Sequence, residues 1–245
     1  MTEAFNVDCM EYMRTLPDKA FDLAVVDPPY GFGLTDGGGC QGWFAKYQQD
    51  AADTHTHTHT AQPIWREVRQ VQTSNRFGGR FERYGAKKSI AWDVAPEQEY
   101  FVELFRVSRN QIIWGGNYFD LPPTRCFLIW RKTNIPLEGF SMAPVEYAWT
   151  SFDENAAMFE YSSLRDETSG KFHPTEKPIT LYEWIYRHYA KEGDRILDTH
   201  LGSGSSRIAA YNMGFDFVGC EIDQTYFEQQ EKRFADHTAQ LSFFV

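Results

Sequence analysis

Apolar residues fall along this chain in short runs separated by stretches of helical spacing. Seven runs read as strands: Phe5–Asp8, Leu23–Val26, Gln111–Trp114, Cys126–Trp130, Val145–Thr150, Arg195–Asp198 and Phe215–Glu221. Several are continuously apolar, as strands covered on both faces are. Between them Tyr100, Phe101, Leu104, Phe105 and Ser108 share one helical face, and so do Leu181, Trp184, Ile185, His188 and Tyr189. A further helix is expected from about Ser203 to Met213, with Gly214 just past its C-cap. Another starts after Asp223, a good N-cap residue. Strands alternating with helices predict a doubly wound α/β sheet of about seven strands, mostly parallel, with helices on both faces. A chain of 245 residues suits one such domain.

The run Leu23–Val26 ends on Asp27-Pro28-Pro29-Tyr30. Two consecutive prolines donate no ladder hydrogen bond and fix φ, so the strand stops there. It leaves an acid, a carbonyl-rich turn and an aromatic ring at its carboxyl end, the edge where open α/β sheets place ligands. Residues 33–89 then interrupt the strand–helix order. They open on Gly37-Gly38-Gly39, carry the Thr-His tract Thr54–Thr60, and hold one short amphipathic pattern in Pro63, Ile64, Trp65, Val68 and Val71, with Thr60 placed to cap it. An excursion of this length from a compact sheet is usually functional or disordered. His55, His57 and His59 alternate along the chain, but short polar repeats more often form loops, and no metal site is expected.

A second constellation follows the strand Arg195–Asp198. Thr199-His200-Leu201-Gly202-Ser203-Gly204-Ser205 leads into the helix that carries Ile208 and Ala209. Glycines at a strand-to-helix turn let a ligand approach the backbone and expose the N–H groups of the helix N-terminus. Glu221 ends the next strand, with Asp223 two residues on. An acid at that place can accept both hydroxyls of a ribose. The sixth position counted from Gly202 is Arg207 rather than glycine, which argues against a pyrophosphate cradle, and no phosphate-binding P-loop motif occurs. An adenosine-containing ligand without phosphates remains, and S-adenosylmethionine is the expected cofactor.

Charge and composition narrow the setting. No stretch approaches the length of a membrane span, and the first residues lack a basic-then-apolar signal. Cys9, Cys40, Cys126 and Cys220 are far apart and form no closely spaced pair, as in a reduced, cytoplasmic protein. The net charge of −10 argues against general adhesion to nucleic acid. Yet residues 66–88 carry seven basic side chains (Arg66, Arg69, Arg76, Arg80, Arg83, Lys87 and Lys88) against Glu67 and Glu82, a local net charge of +5. Such a stripe in an acidic protein favours a polyanion partner.

Together, Asp27–Tyr30 and the glycine turn resemble the amino-directed DNA methyltransferases, which modify adenine N6 or cytosine N4. With Asp27–Tyr30 first and Gly202–Gly204 last, the order resembles the circularly permuted class often called beta, in its phage or prophage type. Val7-Asp8-Cys9 followed by Leu16-Pro17-Asp18 resembles the family's opening strand, and Trp114-Gly115-Gly116-Asn117-Tyr118-Phe119 its middle strand end. His173-Pro174-Thr175-Glu176-Lys177-Pro178 resembles the segment before the cofactor turn. The chain departs from the family at Asp198-Thr199-His200, where Asp-Pro-Phe is usual, so that His200 replaces an aromatic edge.

The resemblance implies a Rossmann-like, S-adenosylmethionine-dependent methyltransferase fold and a set of roles. Asp27 and the Pro28 carbonyl would accept hydrogen bonds from the target amine. Pro29 stiffens that turn, and Tyr30, assisted by Phe32, would stack on a base flipped out of duplex DNA. Asp8 and Cys9 would lie near the cofactor's adenine, Glu221 at its ribose, and Thr175 and Lys177 near its carboxylate, with Gly202, Ser203 and Gly204 behind the methyl donor. His173, Asp198, His200, Ser205 and Asp223 complete the cofactor set. An acid at position 27 favours adenine N6 as the acceptor; cytosine N4, or a catalytically idle DNA-binding module of the same fold, is the alternative. A restriction–modification setting and a homodimer follow by analogy.

DNA contacts are expected from the basic stripe and from Lys132. At the far end, Gln240, Leu241, Phe243 and Phe244 follow a polar, weakly structured stretch, Asp236–Ala239. They resemble the short peptide by which bacterial proteins dock on the replication sliding clamp, with a tail packed on its own domain as the equal alternative.

Overall fold

Leu23 and Val25 belong to the buried cluster on one face of the strand Phe21–Val26, and Ala24 and Val26 to the cluster on the other. A strand apolar on both sides needs a covering layer on each. The computed structural model, which describes residues 1–31, 94–137, 143–163, 172–173 and 175–241, supplies both. Its elements run β1 (Thr2–Phe5), α1 (Cys9–Arg14), β2 (Phe21–Val26), α2 (Gln98–Val107), β3 (Ser108–Trp114), β4 (Phe127–Lys132), β5 (Val145–Thr150), β6 (Ala157–Tyr161), α3 (Ile179–Tyr189), β7 (Arg195–Asp198), α4 (Ser205–Met213), β8 (Asp216–Cys220) and α5 (Gln224–Leu241). The chain divides into two compact units, Met1–Tyr30 with Ala95–Val245, and Gly31–Val94. Of the second unit only Gly31 and Val94 are among the described residues, so the interruption expected at 33–89 lies outside them.

The eight strands form one sheet in the order β1-β8-β7-β2-β3-β5-β4-β6. β1, β8, β7, β2 and β3 are mutually parallel, β5 is antiparallel to both its neighbours, and β4 pairs parallel with β6. The chain leaves β2 toward β3 on one side and returns at β7 on the other. The carboxyl ends of β2 and β7 therefore flank a topological switch point, where such sheets bind ligands. Leu181, Ile185 and Tyr186 of α3 and Ala209 and Ala210 of α4 bury one face of the sheet. Met13 of α1 and Tyr100, Phe101 and Leu104 of α2 bury the other. Gly214 ends α4 at φ +77°, the left-handed cap expected of it.

Four expectations are corrected. The first strand is Thr2–Phe5, not Phe5–Asp8: the Asp8 carboxylate accepts the Met10 N–H at 2.7 Å and starts a helix in place of an opening strand end. The sheet has eight strands rather than seven. The extra one, β6, sits at the sheet edge with Met158 59% exposed, so it needs no continuous apolar run to announce it. The fourth strand runs on through Arg131 and Lys132, past the expected end at Trp130. Asp236–Ala239 is helical, because α5 continues to Leu241. Gln240 and Leu241 thus close a helix; the side chains of both, and Phe243 and Phe244 entirely, lie outside the described residues. Among the described residues no helix is long and apolar enough to cross a membrane.

Candidate active site

Asp27 is the first residue past β2, and its carboxylate is held from two sides. The Tyr30 hydroxyl donates to Oδ1 at 2.7 Å, and Lys177 Nζ donates to Oδ2. Lys177, from the segment before α3, is only 3% exposed and also pairs with Glu146 Oε2 at 3.2 Å. Glu146 Oε1 in turn binds Lys132 Nζ. Charges therefore alternate along Asp27, Lys177, Glu146 and Lys132, contributed by four separate segments. Each ammonium also lies over an indole: Lys177 is 5.2 Å from the Trp114 ring centre and Lys132 is 5.1 Å from that of Trp130. Burial opposes ionisation of Glu146, but Lys177 and Lys132 outweigh it and hold the carboxyl down at about 2. Burial likewise opposes the Lys177 charge, and Asp27 and Glu146 more than offset it, so the ammonium persists above its ordinary range.

The Tyr30 ring packs in a space that only glycine leaves. A Cβ on Gly115 would sit 2.1 Å from Tyr30 Cε1, and Gly115 adopts φ +67° as β3 turns into a short 3-10 helix, Gly116–Tyr118. Tyr118 lies 5.0 Å from the Tyr30 ring and is 44% exposed, with Phe119 edge-on to Tyr30 at 6.1 Å. Burial, then the Asp27 charge, raises the Tyr30 hydroxyl well above its usual range, so it remains a donor to Asp27.

Beside this corner, Gly202 and Gly204 adopt φ +51° and +76° in a tight turn closed by Gly204 N–H to the Leu201 carbonyl at 2.9 Å. The Glu221 carboxylate ties the turn to the end of β8, accepting from Gly202 N–H at 2.8 Å and Asp223 N–H at 2.9 Å. Asp198, buried at the end of β7, accepts from the Ser206 hydroxyl at 2.5 Å and the His200 N–H at 3.0 Å. Burial nevertheless pushes its carboxyl up to about 7. Burial takes the His200 imidazole down to about 4, so the ring is neutral, with Nδ1 bound to the Thr199 hydroxyl at 2.9 Å and its edge toward Tyr100. His173 is also held near 4, by burial and then by Lys177. It packs against Tyr226 at 4.4 Å, and a Cβ on Gly202 would approach its Cε1 to 3.3 Å.

Residues 21–232, spanning both the Asp27 corner and the glycine turn, match the DNA methylase family of adenine-N6 and cytosine-N4 enzymes. The chain belongs to that family. A type II methyltransferase of Streptococcus pneumoniae, M2.DpnII, is 25% identical over 92% of this chain and 87% of its own length. M.HinfI of Haemophilus influenzae, also a type II methyltransferase, is 23% identical over 92% of this chain and 66% of its own. Among solved structures, the cytosine-N4-specific PvuII DNA methyltransferase superposes with a TM-score of 0.51 at 12% identity, covering 96% of this chain and 90% of that one. A protein proposed to be a DNA modification methylase from Thermus thermophilus, solved with S-adenosyl-L-methionine, gives 0.50 at 16% identity, covering 97% and 96%. At these identities the structural likeness speaks for the fold.

In this DNA methylase the described residues bring together Asp27, Tyr30 and Lys177 at one strand end, and His173, Gly202, Gly204 and Glu221 at the next. Lys177 differs from the expectation: its ammonium is engaged by Asp27 and Glu146, so its place is at the acid rather than at a cofactor carboxylate. Lys132 is corrected too. It is 12% exposed and bound to Glu146, so it is no surface contact for phosphate. Cys9 is part-buried beside Asp8, and burial raises its thiol to about 12, which keeps it an inert neighbour. The seven basic residues from Arg66 to Lys88, and Phe32, lie outside the described residues. Among the described residues no cluster of His, Cys, Asp or Glu is arranged to hold a metal.

Two residues of the site went unread in the sequence. Glu146 is the one charged residue in the strand Val145–Thr150, which is itself the signal. Arg233 of α5 donates to the Ser203 carbonyl at 2.9 Å, the Ser205 hydroxyl at 3.0 Å and Glu176 at 3.0 Å. Its helical spacing from Tyr226 and Gln230 was the available cue.

Proposed function

We propose that the chain transfers a methyl group from S-adenosylmethionine to the N6 amine of an adenine flipped out of duplex DNA. The observation that carries this reading is the Asp27 carboxylate, fixed between Tyr30 and Lys177 at the carboxyl end of β2, one strand from the glycine turn. The residues at that turn fit the cofactor. Glu221 and Asp8 make its surroundings acidic, which suits hydroxyls and a sulfonium and repels phosphates. Arg207, the one cation in the first turns of α4, is buried against Glu231 and stacked on Phe234, away from any phosphate. Gly202 and Gly204 take positive φ there, and their missing side chains let His173 and Gln230 close against the turn. Glu221 would hold the ribose, Asp8 the adenine end, and the 202–205 turn the methionine end. When bound, the cofactor would supply an electrophilic methyl group on its sulfonium, whose S–C bond breaks to leave a neutral thioether.

The protein's part is to make a poor nucleophile attack. The exocyclic amine of adenine delocalises its lone pair into the ring. Asp27 and the Pro28 carbonyl, accepting from its two N–H bonds, would localise that pair toward the methyl donor. Tyr30 and Lys177 preorganise Asp27, so little reorganisation is needed during the step. As the N–C bond forms, the amine sheds one proton, and Asp27 is the acceptor placed for it. The Tyr30 and Tyr118 rings offer a stacking face that helps repay the few kcal/mol of base flipping.

Mass spectrometry of nucleosides from unmethylated DNA, incubated with the protein and S-adenosylmethionine, tests the reading. N6-methyladenine is the expected product. N4-methylcytosine would overturn the base assignment, and neither product from a protein that binds the cofactor would overturn DNA methylation itself. The basic stripe is proposed to contact phosphates. Neutralising Arg80 and Arg83 together should lower the slope of log affinity against log salt by about two, and an unchanged slope removes the stripe from the interface.

A further inference from the structure

We infer that Arg233 is a positioning residue that locks the cofactor turn to the segment carrying Lys177, and so sets the affinity for the cofactor. This rests on the proposed cofactor site. Two stretches of chain meet there from distant parts of the sequence: residues 173–177, which end on the Asp27-bound Lys177, and residues 202–205, which form the glycine turn. Apart from Ser205, where α4 begins, their described residues belong to no regular element, and a loop fixes a ligand only as well as its support is fixed.

The support is one face of α5. Tyr226, Gln230 and Arg233 are spaced by four and three residues, so their side chains stack along a single side of the helix. Tyr226 packs on the His173 ring at 4.4 Å. Gln230 is fully buried and closes over Gly204, whose added Cβ would lie 3.1 Å from the Gln230 Cβ. Arg233, 15% exposed, reaches both stretches at once. Nη1 donates to the Ser203 carbonyl at 2.9 Å and to the Ser205 hydroxyl at 3.0 Å, while Nη2 pairs with Glu176 Oε1 at 3.0 Å. Glu176 immediately precedes Lys177. A planar guanidinium can serve two partners in fixed directions, which an ammonium cannot do with the same rigidity. Arg233 lies just beyond the family-matched span, which ends at residue 232.

Cofactor affinity, measured by calorimetric titration of the full chain with S-adenosylmethionine and its demethylated product, tests the inference alongside steady-state methylation. Arg233→Ala should raise the cofactor Kd and KM about tenfold or more, the loss expected when a buried charge-assisted contact goes. At saturating cofactor kcat should fall much less. Arg233→Lys should recover part of the affinity. Glu176→Gln, which keeps an acceptor but removes the charge, should weaken binding in the same direction, and combining it with Arg233→Ala should add less than the sum of the two. If Arg233→Ala does not fold, the Arg233→Lys and Glu176→Gln titrations decide. Cofactor Kd values within twofold of the wild type for the folded variants would overturn the inference. A wild type that itself binds neither ligand would instead overturn the cofactor reading beneath it.

Discussion

Asp27→Ala should reduce methyl transfer about a thousandfold or more while leaving cofactor affinity within about twofold. The size follows from what the carboxylate does. Removing one preorganised group aimed at developing charge commonly costs a hundred- to thousandfold in rate. Here the same group also receives the amine proton, so the two losses compound. The variant should fold, because Lys177 retains Glu146 as a counter-ion when Asp27 is gone. Cofactor contacts should survive, because the glycine turn and Glu221 belong to α4, β7 and β8 rather than to the Asp27 turn. Tyr30→Phe gives the useful contrast. It keeps the ring that packs on Gly115 and Tyr118 and removes only the hydroxyl bound to Asp27 Oδ1, so its loss should be far smaller. Single-turnover methylation with labelled cofactor, beside a binding titration, reads both quantities. An Asp27→Ala protein that methylates at near wild-type rate would sink the mechanism.

The two ends of the site differ in how far the sequence reveals them. Asp27-Pro28-Pro29-Tyr30 and Gly202-Ser203-Gly204 are legible because each imposes a backbone constraint: prolines that end a strand, and glycines at positive φ where a helix begins. The apolar runs within β2, β3 and β7 were legible for the same reason that they are central, being buried on both faces, although β3 begins earlier, at Ser108. What escaped is what depends on pairing across the sheet. The short edge strand β6 has a single neighbour and buries none of its five residues fully, so no core pattern marks it in the sequence. The partners of Lys177 were out of reach because Asp27 lies 150 positions away and Glu146 lies on the antiparallel strand β5. A lysine beside a proline at a helix start looks like a solvated cap until the fold delivers two carboxylates to it.

That buried lysine should be the most stability-sensitive residue of the site. Lys177→Met keeps the length and the apolar stem of the side chain against Trp114, but leaves Asp27 and Glu146 facing each other across an uncharged group. Breaking a buried pair by removing one partner costs about 3–5 kcal/mol, because the remaining charge stays desolvated. For a chain of this size that corresponds to a fall in Tm of roughly 10 °C. Adding Glu146→Gln should cost less than it does in the wild type, since Glu146 has by then lost one of its two counter-ions and keeps only Lys132. The acid side of the stability curve checks the same network independently. Glu146 is held at about 2 in the folded protein against an ordinary 4.5, so its contribution is full above the unfolded value and disappears as pH falls through 2. Wild-type stability should therefore lose on the order of 3 kcal/mol from this one group between those limits, and Glu146→Gln should remove that part of the slope. Thermal melts of the wild type, Lys177→Met, Glu146→Gln and the double variant, from neutral pH downward, make the comparison. A Lys177→Met protein that melts with the wild type, or a double variant whose loss equals the sum of the two single losses, would show that the alternating charges do not act as one unit.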